Sequence, residues 1–280
     1  MGREENIQVF EDTQQKCRSD SRLIQAIAQA NAAQRLILES DSETWKPPRR
    51  YMRPAQVVVS RKRTLEAASA YPGKKVCVLN FASATNPGGG VMRGSSAQEE
   101  AICRCSSLYF NLTEKRMWEG FYGPHRAQRD SLHNNDCIYT PGVVVFKSDD
   151  AVPQALPFEK WYTVNVLTCA APNLRERPSN PMNDGDGARG VQIGKQELRQ
   201  LHEKRMHRIL SISAAEGNEV MILGAFGCGA FHNPPEVVAE AMRTVVREYR
   251  SYFQTIEYAV YCPPRDDTNY RVFERVLGRI

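Results

Sequence analysis

The stretch VCVLNFASATNPGGGVMRGSSAQEEAICRCSSLYFNL, residues 76–112, decides the fold class and the candidate site. Its start, Val76–Phe81, is apolar and predicts a buried strand, and Ala97–Leu112 has helical spacing without Pro or Gly. Between them, Asn86-Pro87 starts a turn, and Gly88–Gly90 permit positive φ or close approach of a ligand. Such a junction presents backbone N–H groups and a positive helix end, and it typically binds phosphate.

Two carboxylates follow this loop. Seven residues after Gly90 comes Gln98-Glu99-Glu100, where a simple phosphate site would carry Lys or Arg. Acidic residues are also common in the first turn of a helix, and Ser96 with Glu99 fits a capping box. The two interpretations are compatible, because Glu99 can cap the helix while Glu100 stays available for chemistry.

A second glycine-rich block, LGAFGCGAFHNPP at residues 223–235, also lies between a predicted strand and a predicted helix. Three glycines, seven residues and Gln-Glu-Glu resemble the signature of poly(ADP-ribose) glycohydrolases, and NFASATNPGGGV resembles their microbial type. The resemblance extends over about Met52–Leu277 and more weakly into the N-terminal segment. It implies a macrodomain that hydrolyses ribose–ribose bonds of ADP-ribose polymers and releases ADP-ribose, with exo-type action expected.

The resemblance also implies site residues. Glu100, the second glutamate of the motif, is expected to be the catalytic acid, and Glu99 to hold or orient the substrate. Asn86 and Phe231 are expected beside the terminal ribose, and the second block is expected to offer donors to a diphosphate. The implied substrate-binding residues are Asn86, Gly88, Gly89, Gly90, Val91, Gln98, Gly227, Cys228, Gly229, Ala230 and Phe231.

A general acid at neutral pH needs a raised pKa, whereas a helix N-terminus lowers the pKa of a carboxyl group. We expect desolvation under bound substrate, the like charge of Glu99 and the substrate diphosphate to raise the pKa of Glu100. By the resemblance, Glu100 protonates the leaving ribose oxygen and then activates water, while the diphosphate helps to stabilise the oxocarbenium-like cation.

Two rival functions stay open. One is a macrodomain reader that binds ADP-ribose without cleavage, against which Gln98-Glu99-Glu100 argues. The other is a hydrolase of a single protein-linked ADP-ribose or of an acylated ADP-ribose, which the sequence does not separate from a polymer hydrolase. No metal or cofactor is expected, because His202 and His207 do not match HExxH and the spacing of His125, His133 and Cys137 is not specific for a metal.

Composition gives expectations about the partners and the cellular location of the protein. The formal net charge of +5, from 37 Lys+Arg and 32 Asp+Glu, suits a polyanionic partner but is weak evidence for one. The eight cysteines form no CxxC pair and predict reduced thiols. No long apolar run and no secretory leader is evident, so a cytoplasmic protein is expected. The expected partners are ADP-ribose and poly(ADP-ribose) on modified proteins, with neither membrane nor direct nucleic-acid binding.

Alternating helices and strands predict an α/β fold, a three-layer α/β/α sandwich with a mixed central sheet. Residues 1–50 are expected to be a helical extension and residues 51–280 the catalytic domain, together one structural unit. The remaining predictions are a helix over Arg22–Glu39 capped by Asp20 or Ser21, a linker over residues 45–50, a parallel pair from the strands at Gln56–Ser60 and Val76, a loop over Glu119–Asp136, and a surface loop or mobile lid over Pro178–Gly190.

Overall fold

Seven strands form one mixed sheet in residues 2–41 and 49–280, the part of the chain that the computed structural model describes. The strands are β1 (Arg35–Ile37), β2 (Gln56–Ser60), β3 (Val76–Ala82), β4 (Cys137–Val145), β5 (Tyr162–Ala170), β6 (Val220–Leu223) and β7 (Thr255–Ala259). Their order is β1-β4-β5-β3-β6-β7-β2. Strand β4 is antiparallel to both its neighbours, and all other pairs are parallel. The predicted α/β fold with a mixed sheet is confirmed.

Helices cover both faces of this sheet. They are α1 (Arg3–Ser19), α2 (Ser21–Ala33), α3 (Thr64–Ser69), α4 (Gln98–Cys105), α5 (Leu108–Leu112), α6 (Lys115–Met117), α7 (Gly123–Gln128), α8 (Lys195–Ala215), α9 (Pro235–Tyr249) and α10 (Thr268–Leu277). In β3, Cys77 and Leu79 join a core with α8, α9 and α10, whereas Val76 and Val78 join a second core with α3, α4 and α5. This two-residue alternation produces the three layers, since successive side chains of a strand point to opposite faces.

The N-terminal segment differs from its prediction. The cap is correct, because the Asp20 side chain accepts a hydrogen bond from Arg22 N at 2.9 Å, but the helix ends at Ala33. The predicted helical residues Arg35–Ile37 are instead the edge strand β1, paired with β4. The chain changes from helix to strand at Gln34. This residue has an extended backbone, and its Nε2 donates a hydrogen bond to Thr140 Oγ1 at 2.8 Å. Helix α1 lies within the predicted helical extension, but its mostly polar sequence did not indicate its bounds.

Three other predictions need correction. The helix expected over Ala97–Leu112 breaks at Ser106, whose extended backbone forms a bridge with Val145 of β4. The segment Glu119–Asp136 is not all loop, because a π-helical turn to Tyr122 and α7 occupy its first half. Strands β2 and β3 are parallel but not paired, since β6 and β7 lie between them. Residues 45–48 of the predicted linker lie outside the described residues.

The structure contains free thiols, and its described helices do not have the features of membrane spans. All eight cysteines are free thiols, six of them buried, with Cys228 and Cys262 half-buried. Among the helices of the described segments, none combines the length and apolarity needed to span a bilayer.

Helix α1 is bound tightly to the sheet domain. Its Phe10 is 1% exposed and meets the Tyr109 ring edge to face at 5.0 Å. Thr13 Oγ1 donates to the carbonyl of Arg104 at the end of α4, at 2.5 Å. Buried aromatic contacts of this kind contribute strongly to stability. Helix α1 therefore supports the same helix that carries Glu99 and Glu100.

We expect Phe10→Ala to lower the free energy of unfolding by about 3–5 kcal/mol, the usual cost of removing a buried phenyl ring. Urea denaturation followed by circular dichroism measures the change. Glu11→Ala is the matched control, because Glu11 is exposed on the same helix turn. Equal stability of the two variants would show that α1 does not pack as described.

Candidate active site

The two glycine loops lie side by side. The first follows β3 and the second follows β6, and these strands are parallel neighbours, so their carboxyl ends reach the same edge of the sheet. A cleft of about 790 Å³ opens there. Of the residues expected from sequence, those lining it are Gly89, Gln98, Glu99, Glu100, Gly227, Gly229, Ala230 and Phe231. Asn86, Gly88, Gly90, Val91 and Cys228 are not among its lining residues.

Glu99 is 2% exposed and turns toward the end of β3. Its Oε1 accepts a hydrogen bond from Asn80 Nδ2 at 3.1 Å, and its Oε2 accepts one from Ser83 N at 2.8 Å. The expected capping box is therefore wrong: helix α4 begins after Ala97 without a side-chain cap, because Glu99 is held by the strand and loop instead. Burial, followed by the charge of Glu100, raises the pKa of Glu99 from 4.5 to about 8, against the opposing hydrogen bonds.

Glu100 is 7% exposed and lies in the same cleft. Its Oε1 accepts a hydrogen bond from Gly90 N at 2.8 Å, whereas its Oε2 is buried without a partner among the described residues. Burial raises the pKa of Glu100, and the Gly90 N–H is the largest opposing influence. Desolvation by the protein itself is thus the main cause of the raised pKa, before any substrate is bound. Glu100 therefore lines the cleft as a buried carboxyl group with one oxygen that no hydrogen bond of the described residues engages.

The first glycine loop organises these carboxylates. A Cβ on Gly89 would lie 2.5 Å from Glu100 Oε1 and 3.1 Å from Glu99 Oε2, so only glycine fits there. The N–H of Gly88 is among the influences that lower the pKa of Glu99. Gly89 N donates to Asn86 O at 2.9 Å and Val91 N to Gly88 O at 3.2 Å. Since the turn and Glu100 already engage the N–H groups of Gly89, Gly90 and Val91, binding of a phosphate by this loop stays a prediction.

The second loop has free donors. Among the described residues, no acceptor is hydrogen-bonded to the N–H of Gly229, Ala230 or Phe231. A Cβ on Gly229 would meet nothing within 4 Å, so its backbone faces open space in the cleft. Gly227, by contrast, has φ +77° and packs against Asn233 and Ala171. The second loop can therefore bind an oxyanion such as a diphosphate.

Three residues expected to bind substrate have structural roles here. Asn86 donates from Nδ2 to Asp184 O at 2.8 Å and accepts at Oδ1 from Arg126 at 3.0 Å, so it joins two loops. Gln98 donates to Leu79 O at 2.7 Å and accepts from Phe81 N at 2.8 Å, which fixes α4 to β3. Val91 is fully buried in the core.

Sequence reasoning missed several residues of the site. Asn80, a polar residue in an apolar strand, was a signal that went unused. Ser83, directly after β3, lines the cleft. Other lining residues come from distant segments, and no local pattern marks them: Arg63, Arg175, Asn180, Met182, Asn183 and Tyr261. Arg63 stacks on the Tyr261 ring at 3.9 Å, and Arg175 is among the cations that lower the pKa of Glu100.

The raised pKa of Glu99 has a consequence for stability. Between pH 4.5 and about 8, the folded protein keeps a proton that the unfolded chain releases, so the free energy of unfolding falls as pH rises through this window. Because glutamine cannot ionise, we expect Glu99→Gln to show a smaller fall. Urea denaturation at pH 4.5, 6 and 8 measures it. An identical pH dependence in wild type and variant would contradict burial of a protonated Glu99.

Comparison with known proteins agrees with this geometry. The family model described as "Microbial-type PARG, catalytic domain", where PARG is poly(ADP-ribose) glycohydrolase, matches residues 4–148, just over half of the chain. No curated protein matches the chain significantly. The matched region includes the first glycine loop, Glu99 and Glu100, but not the second loop.

Solved structures extend the similarity over nearly the whole chain. The poly(ADP-ribose) glycohydrolase of Thermomonospora curvata is 28% identical, covers 97% of this chain and 99% of its own, and has a TM-score of 0.80. Its structure bound to the inhibitor ADP-HPD is 28% identical over 96% and 98%, with a TM-score of 0.77. The Deinococcus radiodurans enzyme in complex with ADP-ribose is 30% identical over 90% and 97%, with a TM-score of 0.75. Since the family model spans just over half of the chain, including Glu99 and Glu100, this chain belongs to the microbial-type poly(ADP-ribose) glycohydrolase family.

Proposed function

We propose that the protein is a poly(ADP-ribose) glycohydrolase that hydrolyses ribose–ribose O-glycosidic bonds from the chain end and releases ADP-ribose. The observation that carries this proposal is the Glu100 carboxyl group, whose raised pKa and unpartnered Oε2 suit a general acid in a cleft. Solved relatives bind ADP-ribose and ADP-HPD, which supports an ADP-ribose unit as occupant of the cleft.

In the proposed reaction, Glu100 donates a proton from Oε2 to the leaving ribose oxygen. The resulting carboxylate then accepts a proton from the attacking water. Glu99 does not act from the opposite face of the sugar, as a second carboxylate does in ordinary glycosidases, because both carboxylates lie beside Gly89 on one side of the cleft. Its role is to hold the loop, through Asn80 and Ser83, in the geometry that Glu100 requires.

The diphosphate of the terminal unit binds at the second loop. Gly229, Ala230 and Phe231 provide N–H donors there, and Arg175 adds positive charge in the same cleft. By binding the diphosphate, these donors hold its negative charge near the oxocarbenium-like cation, and this charge helps to stabilise the cation. The polymer attached to modified proteins is thus held by its last unit.

The size of the cleft supports action at the chain end. A volume of about 790 Å³ lies within the range of sites for single small ligands, roughly 300–1,000 Å³. It accommodates one ADP-ribose unit, whereas cleavage within a chain requires polymer to continue on both sides of the bound unit. A hydrolase of single protein-linked ADP-ribose is the second candidate, since its substrate would occupy the same cleft.

We expect Glu100→Gln to lower polymer cleavage by about 10⁴-fold or more, because one carboxyl group serves as acid and then as base. ADP-ribose affinity should stay within a few fold, since the amide keeps the shape of the side chain. Wild type and variant are compared by single-turnover release of ADP-ribose from labelled poly- and mono-ADP-ribosylated proteins. Release from polymer alone supports the proposed function, and release from mono-modified protein favours the second candidate.

Folding of Glu100→Gln is checked by circular dichroism. A folded variant that cleaves polymer at the wild-type rate would remove Glu100 from the catalytic role. A wild-type protein that binds ADP-ribose but leaves both substrates intact would be a reader.

We expect Gly229→Val to weaken ADP-ribose binding by roughly 10- to 100-fold, the effect of losing one hydrogen bond to a charged group of about 1.5–3 kcal/mol. The added side chain enters open space, so the fold should be retained. Isothermal titration calorimetry measures the affinity. Gly194→Val is the matched control, because a Cβ there also meets nothing within 4 Å and Gly194 does not line the cleft. Equal affinity in both variants would exclude the second loop as the diphosphate site.

A further inference from the structure

Asp186 is a buried carboxylate at the centre of the 178–190 segment. Its side chain is 0% exposed, although it stands in a glycine-rich segment that composition assigns to the surface. Its Oδ2 accepts hydrogen bonds from Asn173 Nδ2 at 2.8 Å and from Asn183 Nδ2 at 2.9 Å. Its Oδ1 lies 3.2 Å from His133 Nε2. A buried charge persists only with such partners, so the segment is fastened from within.

These partners outweigh the cost of burial. Burial alone would raise the pKa of Asp186. The hydrogen bonds with His133, Asn173 and Asn183 lower it by more than burial raises it, so the pKa lies below its ordinary value. Asp186 is therefore the charged acceptor in this cluster, and its bonds are of the strong, charge-assisted kind.

One chain of hydrogen bonds runs from Asp186 to the catalytic carboxylates. Asn183, held by Asp186, accepts at Oδ1 from Ser83 Oγ at 2.5 Å. Ser83 N donates to Glu99 Oε2 at 2.8 Å. Only two residues thus separate Asp186 from Glu99. Displacement of Asn183 would remove the acceptor of the Ser83 hydroxyl group, and the N–H of Ser83 is one of the two donors that hold Glu99.

A second chain runs to the other glycine loop. Asn173, the other amide held by Asp186, precedes Leu174, whose N–H donates to Phe231 O at 3.0 Å. The His133 ring lies 6.1 Å from the ring of Phe231. Asp186 therefore fastens the loop expected to hold the diphosphate as well as the loop that carries the acid.

The segment itself forms a wall of the cleft. Asn180, Met182 and Asn183 line it. A Cβ on Gly90 would lie 3.1 Å from Met182 O, so the wall stands directly against the loop that binds Glu100. The 178–190 segment is consequently part of the site and packed against its catalytic end.

We propose that Asp186 is a positioning residue, which holds the 178–190 segment against both glycine loops and so sets the geometry of Glu99 and Glu100 on one side and Phe231 on the other. This inference rests on the proposed function. Asp186 touches no substrate, because it does not line the cleft. The two hydrogen-bond chains predict different kinetic effects. The chain through Asn183 governs the chemical step, and the chain through Asn173 governs ligand binding.

The test compares Asp186→Asn, Asn183→Ala and Asn173→Ala. In Asp186→Asn the cluster loses its negative charge, so the hydrogen bonds from Asn173 and Asn183 lose their charge-assisted strength and no longer hold the two amides as firmly. We expect Asp186→Asn and Asn183→Ala each to lower kcat on polymer by about 10- to 100-fold, since small misplacement of catalytic groups has effects of that size. Asn173→Ala should mainly raise KM and weaken ADP-ribose binding. The matched control is Glu257→Gln, a carboxyl group that is 1% exposed, hydrogen-bonded to Tyr71 and Ser60, and outside the cleft, which should keep the wild-type kcat.

The double variant Asp186→Asn/Asn183→Ala separates positioning from direct contact of Asn183 with substrate. If Asp186 acts through Asn183, the double variant loses about as much kcat as either single variant. Losses that multiply, or a folded Asp186→Asn with wild-type kcat and KM, would overturn the inference. If Asp186→Asn does not fold, Asn183→Ala with unchanged kcat overturns it instead. Wild-type protein that fails to cleave polymer counts against the proposed function, whereas wild-type cleavage with an unaffected Asp186→Asn counts against Asp186 alone.

Discussion

The structure depends on the burial of two neighbouring carboxyl groups, Glu99 and Glu100, in the first turn of α4. A helix N-terminus favours carboxylates, but removal from water disfavours them more strongly, and the pKa of both groups is raised. Burial of such a pair costs free energy unless hydrogen-bond donors replace the lost water. Asn80, Ser83 and Gly90 provide donors for three of the four oxygens. The fourth, Glu100 Oε2, has no hydrogen-bond partner among the described residues, which is the basis of the role proposed for it.

The two glycine loops differ in what their backbone N–H groups bind. In the first loop the absence of a Cβ at Gly89 makes room for the carboxylates, the N–H of Gly90 binds Glu100, and the N–H of Gly89 binds a carbonyl of the turn. In the second loop, the N–H groups of residues 229–231 stay available within the described structure. The first loop thus contacts the two carboxyl groups, and the second has N–H groups free to bind an oxyanion such as the diphosphate of the proposed substrate. Parallel pairing of β3 with β6 brings the two functions to one cleft.

Support for this arrangement comes from distant parts of the chain. Helix α1 reaches the back of α4 through Thr13 and places Asn6 in the lining of the cleft. The extension is therefore continuous with the site, and its strand β1 completes one edge of the sheet. From the opposite side, the 178–190 segment closes on the first loop through Asn183 and Met182. Rigid elements on both sides keep the carboxylates from relaxing toward solvent.

The sequence by itself determined the strand, glycine-loop and helix order around residues 76–112, the α/β class and the likeness to a glycohydrolase family, because these depend on local periodicity and on spacings within short motifs. It also pointed to Glu99 and Glu100. Only the tertiary structure decided which donors hold each carboxylate, that Gly89 and Gly90 contact the carboxylates, and that Arg35–Ile37 is a strand. These facts arise from contacts between residues far apart in sequence, such as Ser83 with Asn183, and no local pattern encodes which distant partner satisfies a buried polar group.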